Sequence, residues 1–249
     1  MTPSQINILG SKLHPVSMAQ CLEIIARGIQ INQAMHVITL NAEIVYQARK
    51  NQYLQRVISQ ADLVTADGIG VVWGARYLGY QVPERVTGID LMLKLTEKAA
   101  KMGWPIYLLG AAPGVALEAS RALGQRCPGL KIAGCHDGYF TAQEVPGIVE
   151  DINSSSARIL FVALGAPKQE FWIREHFGEL QIPVRIGVGG SLDVIAGIKK
   201  RAPGFFIRFN LEWLYRLLTE PSRFKRQLTL PLFAISILVE GLKRNRLLP

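Results

Sequence analysis

The chain has 249 residues, 49% of them hydrophobic and 19% charged, with a formal net charge of +9. That length buries one large core or two modest ones, and so apolar a composition excludes a largely disordered chain. Cys21, Cys127 and Cys135 are odd in number and lack C-x-x-C spacing. They indicate neither a disulfide framework nor a zinc site, and reduced thiols in a cytosolic compartment are the expectation.

The first residues, Met1-Thr-Pro-Ser-Gln5, lack the basic-then-apolar order of a signal peptide. Short apolar runs then recur at Met35–Leu40, Leu63–Thr65, Ile106–Leu109, Leu130–Ala133, Ile159–Leu164 and Val184–Val188. Segments of helical period, such as Ile89–Met102 and Val115–Cys127, lie between them. Most of the runs are apolar throughout rather than alternating, as strands covered on both faces must be. Strand alternating with helix predicts an α/β, Rossmann-like, mostly parallel sheet flanked by helices. Pro105, Pro113, Pro128, Pro167 and Pro183 punctuate these units.

The pattern changes near Gly197-Ile-Lys-Lys-Arg-Ala-Pro-Gly204, which reads as a linker between a domain over 1–196 and a helical, basic C-terminal appendage over 197–249. From Lys199 onward eleven Lys and Arg oppose three Glu, so this tail carries +8 of the net +9. Phe209–Thr219 places Trp213, Leu214, Leu217 and Leu218 on one helical face, with Arg208, Glu212, Tyr215 and Arg216 largely on the other. Leu228–Leu242 is apolar and ends in Lys243-Arg-Asn-Arg246. The run falls short of the ~20 residues that span a bilayer. Two readings of it stand open: a helix dipping into a headgroup region with its basic end on lipid phosphates, or a helix docked on the core or at an oligomer interface.

In a parallel sheet, ligands bind beyond the carboxyl ends of the strands. The candidates are therefore Thr39 and Asn41, Asp67, Gly110 through Gly114, Gly165 through Gln169, and Gly189-Gly190-Ser191. Glycines let a phosphate approach the backbone, and Thr, Asn and Gln orient hydroxyl-rich groups. Asp67 is the lone acid of that row: a helix cap by default, or a base for a sugar hydroxyl. Asp193 reads as a cap or a ribose contact. Arg85, in a loop before a helix, suits a phosphate or a neighbouring acid. The four histidines show no metal-ligand spacing. No G-x-x-x-x-G-K-[ST] occurs, and Gly187-Val-Gly189-Gly190 leaves the dinucleotide fingerprint incomplete. No Asp-x-Asp is present to hold a metal on a sugar nucleotide, so a departing diphosphate must be met by helix N-termini and arginines.

Thr39-Leu-Asn41, Ala66-Asp-Gly68, Arg85-Val-Thr-Gly-Ile-Asp90, Gly110-Ala-Ala-Pro-Gly114, Gly165-Ala-Pro-Lys-Gln-Glu170 and Gly187-Val-Gly-Gly-Ser191 occur in the order seen in the WecG/TagA/CpsF glycosyltransferases. The chain resembles that family from about residue 35 to 226. The resemblance implies a metal-independent, inverting enzyme with no cofactor beyond its UDP-sugar donor. It would move a hexosamine-type sugar, N-acetylmannosamine or a relative, onto a polyprenyl-diphosphate-linked GlcNAc. The setting implied is cell-surface polysaccharide synthesis on the cytoplasmic face of the plasma membrane, by a peripheral protein that is open to homo-oligomer formation. Asp67 would be the base, Thr39 and Asn41 would contact the sugars, and Arg85 and Gln169 would line the pocket. The glycine turns would cradle UDP, while Arg216, Arg223 and Arg226 would close over the diphosphate. A Rossmann-type oxidoreductase is the rival enzyme class, disfavoured by the broken glycine fingerprint. A basic nucleic-acid-binding module is the rival binding class, disfavoured by the apolar Leu228–Val239 run.

Overall fold

Helix starts are written into the side chains that precede them. Ser17 and Gln20 form a reciprocal capping box at α1 (Met18–Gln30). After β3 (Met35–Leu40), Asn41 caps α2 (Ala42–Ala48) and Asn51 caps α3 (Gln52–Gln60). β4 (Leu63–Ala66) leads into α4 (Ile69–Tyr77), and Thr87 caps α5 (Gly88–Met102). The chain continues through β5 (Ile106–Gly110), α6 (Val115–Arg126), β6 (Ile132–His136), α7 (Val145–Ser154), β7 (Ile159–Ala163), α8 (Lys168–Glu175), β8 (Val184–Gly187) and α9 (Ser191–Ile195). A hairpin of β1 (Ile6–Ile8) and β2 (Ser11–Leu13) precedes all of these, and α10 (Gly204–Arg208), α11 (Glu212–Thr219) and α12 (Thr229–Leu247) follow. The computed structural model describes residues 4–219 and 228–247.

The six later strands form one parallel sheet in the order β4-β3-β8-β7-β5-β6. Successive residues point to opposite faces, so β5 sends Ile106 and Leu108 one way and Tyr107 and Leu109 the other. One face is covered by apolar residues of α1, α5, α6 and α9. The other is covered by α2, α3, α4 and α12 over the β4-β3 half, and by α7 and α8 over the β7-β5 half. This two-sided burial is why the strands read as unbroken apolar runs. The expected strand at Leu130–Ala133 is corrected to Ile132–His136. Leu130 N–H instead donates to Cys127 O, closing the turn that ends α6. The strand lies at the sheet edge and every residue in it is only half-buried, so its apolar signal is weak.

The tail's last helix is docked. α12 lies on α2 and α4, with Phe233 and Ile237 only 2% and 0% exposed. Two glycines allow the close approach: a Cβ on Gly74 would lie 3.0 Å from Ile237 Cδ1, and one on Gly241 would lie 2.5 Å from Tyr77 Cε1. Arg244 fixes the far end, donating to Tyr80 Oη at 2.9 Å and standing over its ring. Docking on the core thus accounts for one face of the apolar run. Leu232, Ile235, Val239 and Leu242 on the opposite face remain exposed. Among the described residues, no helix is long and apolar enough to cross a membrane.

Phe233→Ala is expected to cost about 3 kcal/mol, the scale for emptying a buried aromatic site, and to lower the urea midpoint. A midpoint that did not move would mean that α12 is not packed in solution.

Candidate active site

A parallel sheet delivers every strand's carboxyl end to one edge, and here four neighbours in the sheet, β4, β3, β8 and β7, end around one cavity of about 700 Å³. That is within the range of ligand pockets. Its wall carries Thr39 and Asn41 after β3, Asp67 after β4, Gly165 and Gln169 after β7, and Gly189, Gly190 and Ser191 after β8. Arg85, Thr87 and Gly88 contribute from the start of α5. The tail closes the other side with Asn210, Glu212, Trp213 and Leu217, and with Leu230 and Phe233 of α12. The cavity is therefore polar at the sheet edge and apolar toward the tail, where Ile44, Ile69 and Trp73 also face it.

Asp67 does not cap α4. Gly68 is the N-cap residue there and offers no side chain, and its φ of 96° with ψ of 146° is backbone that only glycine adopts readily. The Asp67 carboxylate instead accepts from Gly88 N–H at 3.3 Å, reaching across to the first turn of α5. Thr39 stands beside it: a Cβ on Gly88 would lie 3.1 Å from Thr39 Oγ1 and 3.7 Å from Asp67 Oδ2. The hydroxyl of Thr39 donates to Gly187 O at 3.3 Å. Asn41 holds its position through capping, its Oδ1 accepting from Ile44 N–H at 2.9 Å. Ser191 Oγ donates to Val188 O at 2.6 Å, which steadies the turn after β8.

Beneath this row lies an interlock that sequence reading missed. Gln169 Oε1 accepts from Gly189 N–H at 3.0 Å while its Nε2 donates to Glu170 Oε1 at 2.8 Å. Both side chains are buried. They fit only because Gly187 has no side chain, since a Cβ there would lie 2.5 Å from Gln169 Nε2 and 3.0 Å from Glu170 Oε1. Glu170 Oε2 has no partner among the described residues. Burial pushes the Glu170 carboxyl up to about 7, against the opposing pull of the Gln169 amide. The signal available in sequence was Gly187 itself, a strand-end glycine whose missing Cβ makes room for the pair.

Two ion pairs join the tail to the Arg85–Asp90 motif. Arg85 Nη1 meets Glu212 Oε2 at 2.6 Å, with side chains 15 and 18% exposed. Asp90 pairs with Arg201. Burial pushes the Asp90 carboxyl upward, but the Thr87 hydroxyl and the Arg201 guanidinium outweigh it and hold the group below its usual value.

The remaining predicted residues lie elsewhere. Gly110 ends β5, the fifth strand across, Gly114 follows it, and neither is on the cavity wall. Gly110 is packed against backbone, with a Cβ there falling 2.5 Å from Ala163 C. Asp193 faces Lys199 at 3.7 Å and is also off the wall. Arg223 and Arg226 lie outside the described residues, and of Arg216 only its place in α11 is described.

A carboxyl whose value is raised by folding adds stability at low pH and loses it as pH climbs through the raised value. For Glu170 the loss runs from about pH 4.5 to about pH 7, and the gap corresponds to roughly 3 kcal/mol. Glu170→Gln keeps an oxygen for Gln169 and carries no charge. It is expected to match the wild type at pH 5 and to be the more stable protein at pH 8.5, by urea unfolding at both values. An equal difference at the two pH values would count against an ionising, buried Glu170.

The model of the family described as "Glycosyl transferase WecG/TagA/CpsF family" matches residues 6–247. A Bacillus spizizenii protein named N-acetylglucosaminyldiphosphoundecaprenol N-acetyl-beta-D-mannosaminyltransferase is 40% identical over 207 residues, covering 83% of this chain and 80% of its own. A Staphylococcus aureus protein (strain NCTC 8325) of the same name is 36% identical over 236 residues, covering 94% and 92%. The match spans the sheet, the cavity wall and the docked tail alike, and the chain belongs to the WecG/TagA/CpsF family of glycosyltransferases.

Proposed function

We propose that this enzyme transfers an N-acetylmannosamine-type sugar from a UDP-sugar to a polyprenyl-diphosphate-linked GlcNAc, with inversion and without a metal. The observation that carries the reading is the Asp67 carboxylate beside the Thr39 hydroxyl at the rim of a cavity that also holds Arg85. The names of the two relatives supply the sugar and the acceptor. In this reading the acceptor hydroxyl attacks the anomeric carbon as Asp67 takes its proton. The bond from that carbon to the UDP oxygen breaks, and the diphosphate leaves with the electron pair. One displacement inverts the centre and needs one base and no nucleophilic side chain. Arg85, with Arg216, Arg223 and Arg226 from the tail, meets the charge of the leaving group.

The apolar half of the cavity and the exposed face of α12 suit a substrate anchored in lipid. Leu232, Ile235 and Leu242 would enter the headgroup region, with Lys243 and Arg244 at the basic end. The protein then works as a peripheral protein on the cytoplasmic face, where wall polysaccharides such as teichoic acid or exopolysaccharide are assembled.

Mass spectrometry of products from a UDP-sugar panel with a short-chain GlcNAc-diphosphate-lipid is expected to show one N-acetylhexosamine added. Asp67→Asn should lower kcat by about a hundredfold or more while KM changes little; near-normal turnover in a folded variant would remove Asp67 as the base. For the membrane, Leu232→Ser, Ile235→Ser and Leu242→Ser together should abolish flotation with anionic vesicles. Substitution is preferable to truncation, which would uncover the core that Phe233 and Ile237 fill. Undiminished flotation of the triple variant would assign membrane contact to another surface.

A further inference from the structure

The geometry points to Glu212 as a positioning residue that acts through Arg85: its carboxylate occupies the place of the substrate's anionic group and holds the guanidinium until that anion displaces it. The inference rests on the sugar-nucleotide reading of the cavity and adds to it how the anion site is kept when empty.

Three observations carry it. Glu212 and Arg85 both line the cavity, and their side chains meet at 2.6 Å with little exposure. The contact is single-point, Nη1 to Oε2, where guanidinium and carboxylate can form a two-point fork. Among the described residues, the charged ones on the wall are Glu43, Asp67, Glu212 and Arg85, three acids and one base. A diphosphate gains little from Arg85 while that guanidinium is already paired with Glu212. One carboxylate has to give way.

Only Glu212 is placed to do so. Asp67 is fixed just after β4, its N–H donating to Leu40 O and its carboxylate bonded to the first turn of α5. Glu43 belongs to α2, within the core-covering layer. Glu212 instead rides on α11, which packs with α10 as a unit through the Phe206 and Tyr215 rings, 5.3 Å apart, and through Leu211 N–H donating to Phe206 O. That unit follows the Gly197–Pro203 stretch. That stretch has its own tie to the core, the ion pair of Arg201 with Asp90, which does not include Glu212. Release of Glu212 therefore leaves α10–α11 tethered beside the cavity while Arg85 turns its donors to the incoming anion.

The test measures binding of UDP, and separately of inorganic diphosphate, by calorimetry to wild type, Glu212→Gln, Glu212→Asp and Arg85→Ala, with donor kinetics for the first three. A place-holder engaged nine-tenths of the time weakens apparent affinity about tenfold. Glu212→Gln is therefore expected to bind both probes about tenfold more tightly and to lower donor KM, with kcat not raised. Glu212→Asp, which keeps the charge, should return toward the wild type, and Arg85→Ala should bind weakly. Binding in Glu212→Gln that is weaker or unchanged would overturn the proposal, because Glu212 would then orient Arg85 or be irrelevant to it. Failure of both probes to bind wild type and variant alike would overturn it too. A wild type that binds both probes but transfers no sugar from any UDP donor would sink the glycosyltransfer reading and leave the place-holder intact.

Discussion

Parallel strands covered on both faces impose the constraint on which the rest of this structure depends. Such a sheet can open to solvent only at its edges and ends, and it sends all of its carboxyl ends to one side. Residues scattered from Thr39 to Ser191 are brought to one cavity because β4, β3, β8 and β7 are neighbours in the sheet. The chain leaves β3 for the edge strand β4 and then crosses the sheet to β5. The cavity lies where those directions part. Gly110 and Gly114 miss it for the same reason, since β5 stands one strand too far along.

Glycine without a Cβ does two kinds of work in this molecule. At Gly68 it gives the chain a conformation that leaves Asp67 at the end of its strand, facing α5 rather than capping α4. At Gly187, Gly74 and Gly241 it makes room. The buried Gln169–Glu170 pair occupies the first space, Ile237 of the C-terminal helix the second, and Tyr77 of α4 the third. The buried carboxyl of Glu170 is thereby coupled to the turn at Gly189 through one amide. That amide is held from both ends, so the turn after β8 is fixed before any ligand arrives.

The tail is both a wall and a source of charge. Its acid meets a core arginine at Arg85, and its arginine meets a core acid at Asp90. Residues five apart in one loop and first helical turn therefore anchor the segment that covers them. The apolar run that composition alone left between a membrane and a docked helix has one face packed on α2 and α4 and the other exposed. An amphipathic pattern was invisible in that run because both faces are apolar.

The sequence alone determined the class of fold, the strands at Met35–Leu40, Leu63–Ala66, Ile159–Ala163 and Val184–Gly187 to within a residue, and the row of turn residues that became the cavity wall. It also carried the family, since ordered motifs are a property of the chain itself. These were legible because two-sided burial writes unbroken apolar runs, and strand-end glycines mark where backbone must turn. Tertiary structure decided what depends on strand order and on distant partners. It excluded Gly110, Gly114 and Asp193 from the wall, gave Asp67 the N–H of Gly88, and set Glu212 against Arg85, 127 residues away. It also moved β6 to Ile132–His136, because an edge strand needs no continuous apolar signal. A pairwise contact across a sheet leaves no local pattern, so only the folded arrangement could reveal it.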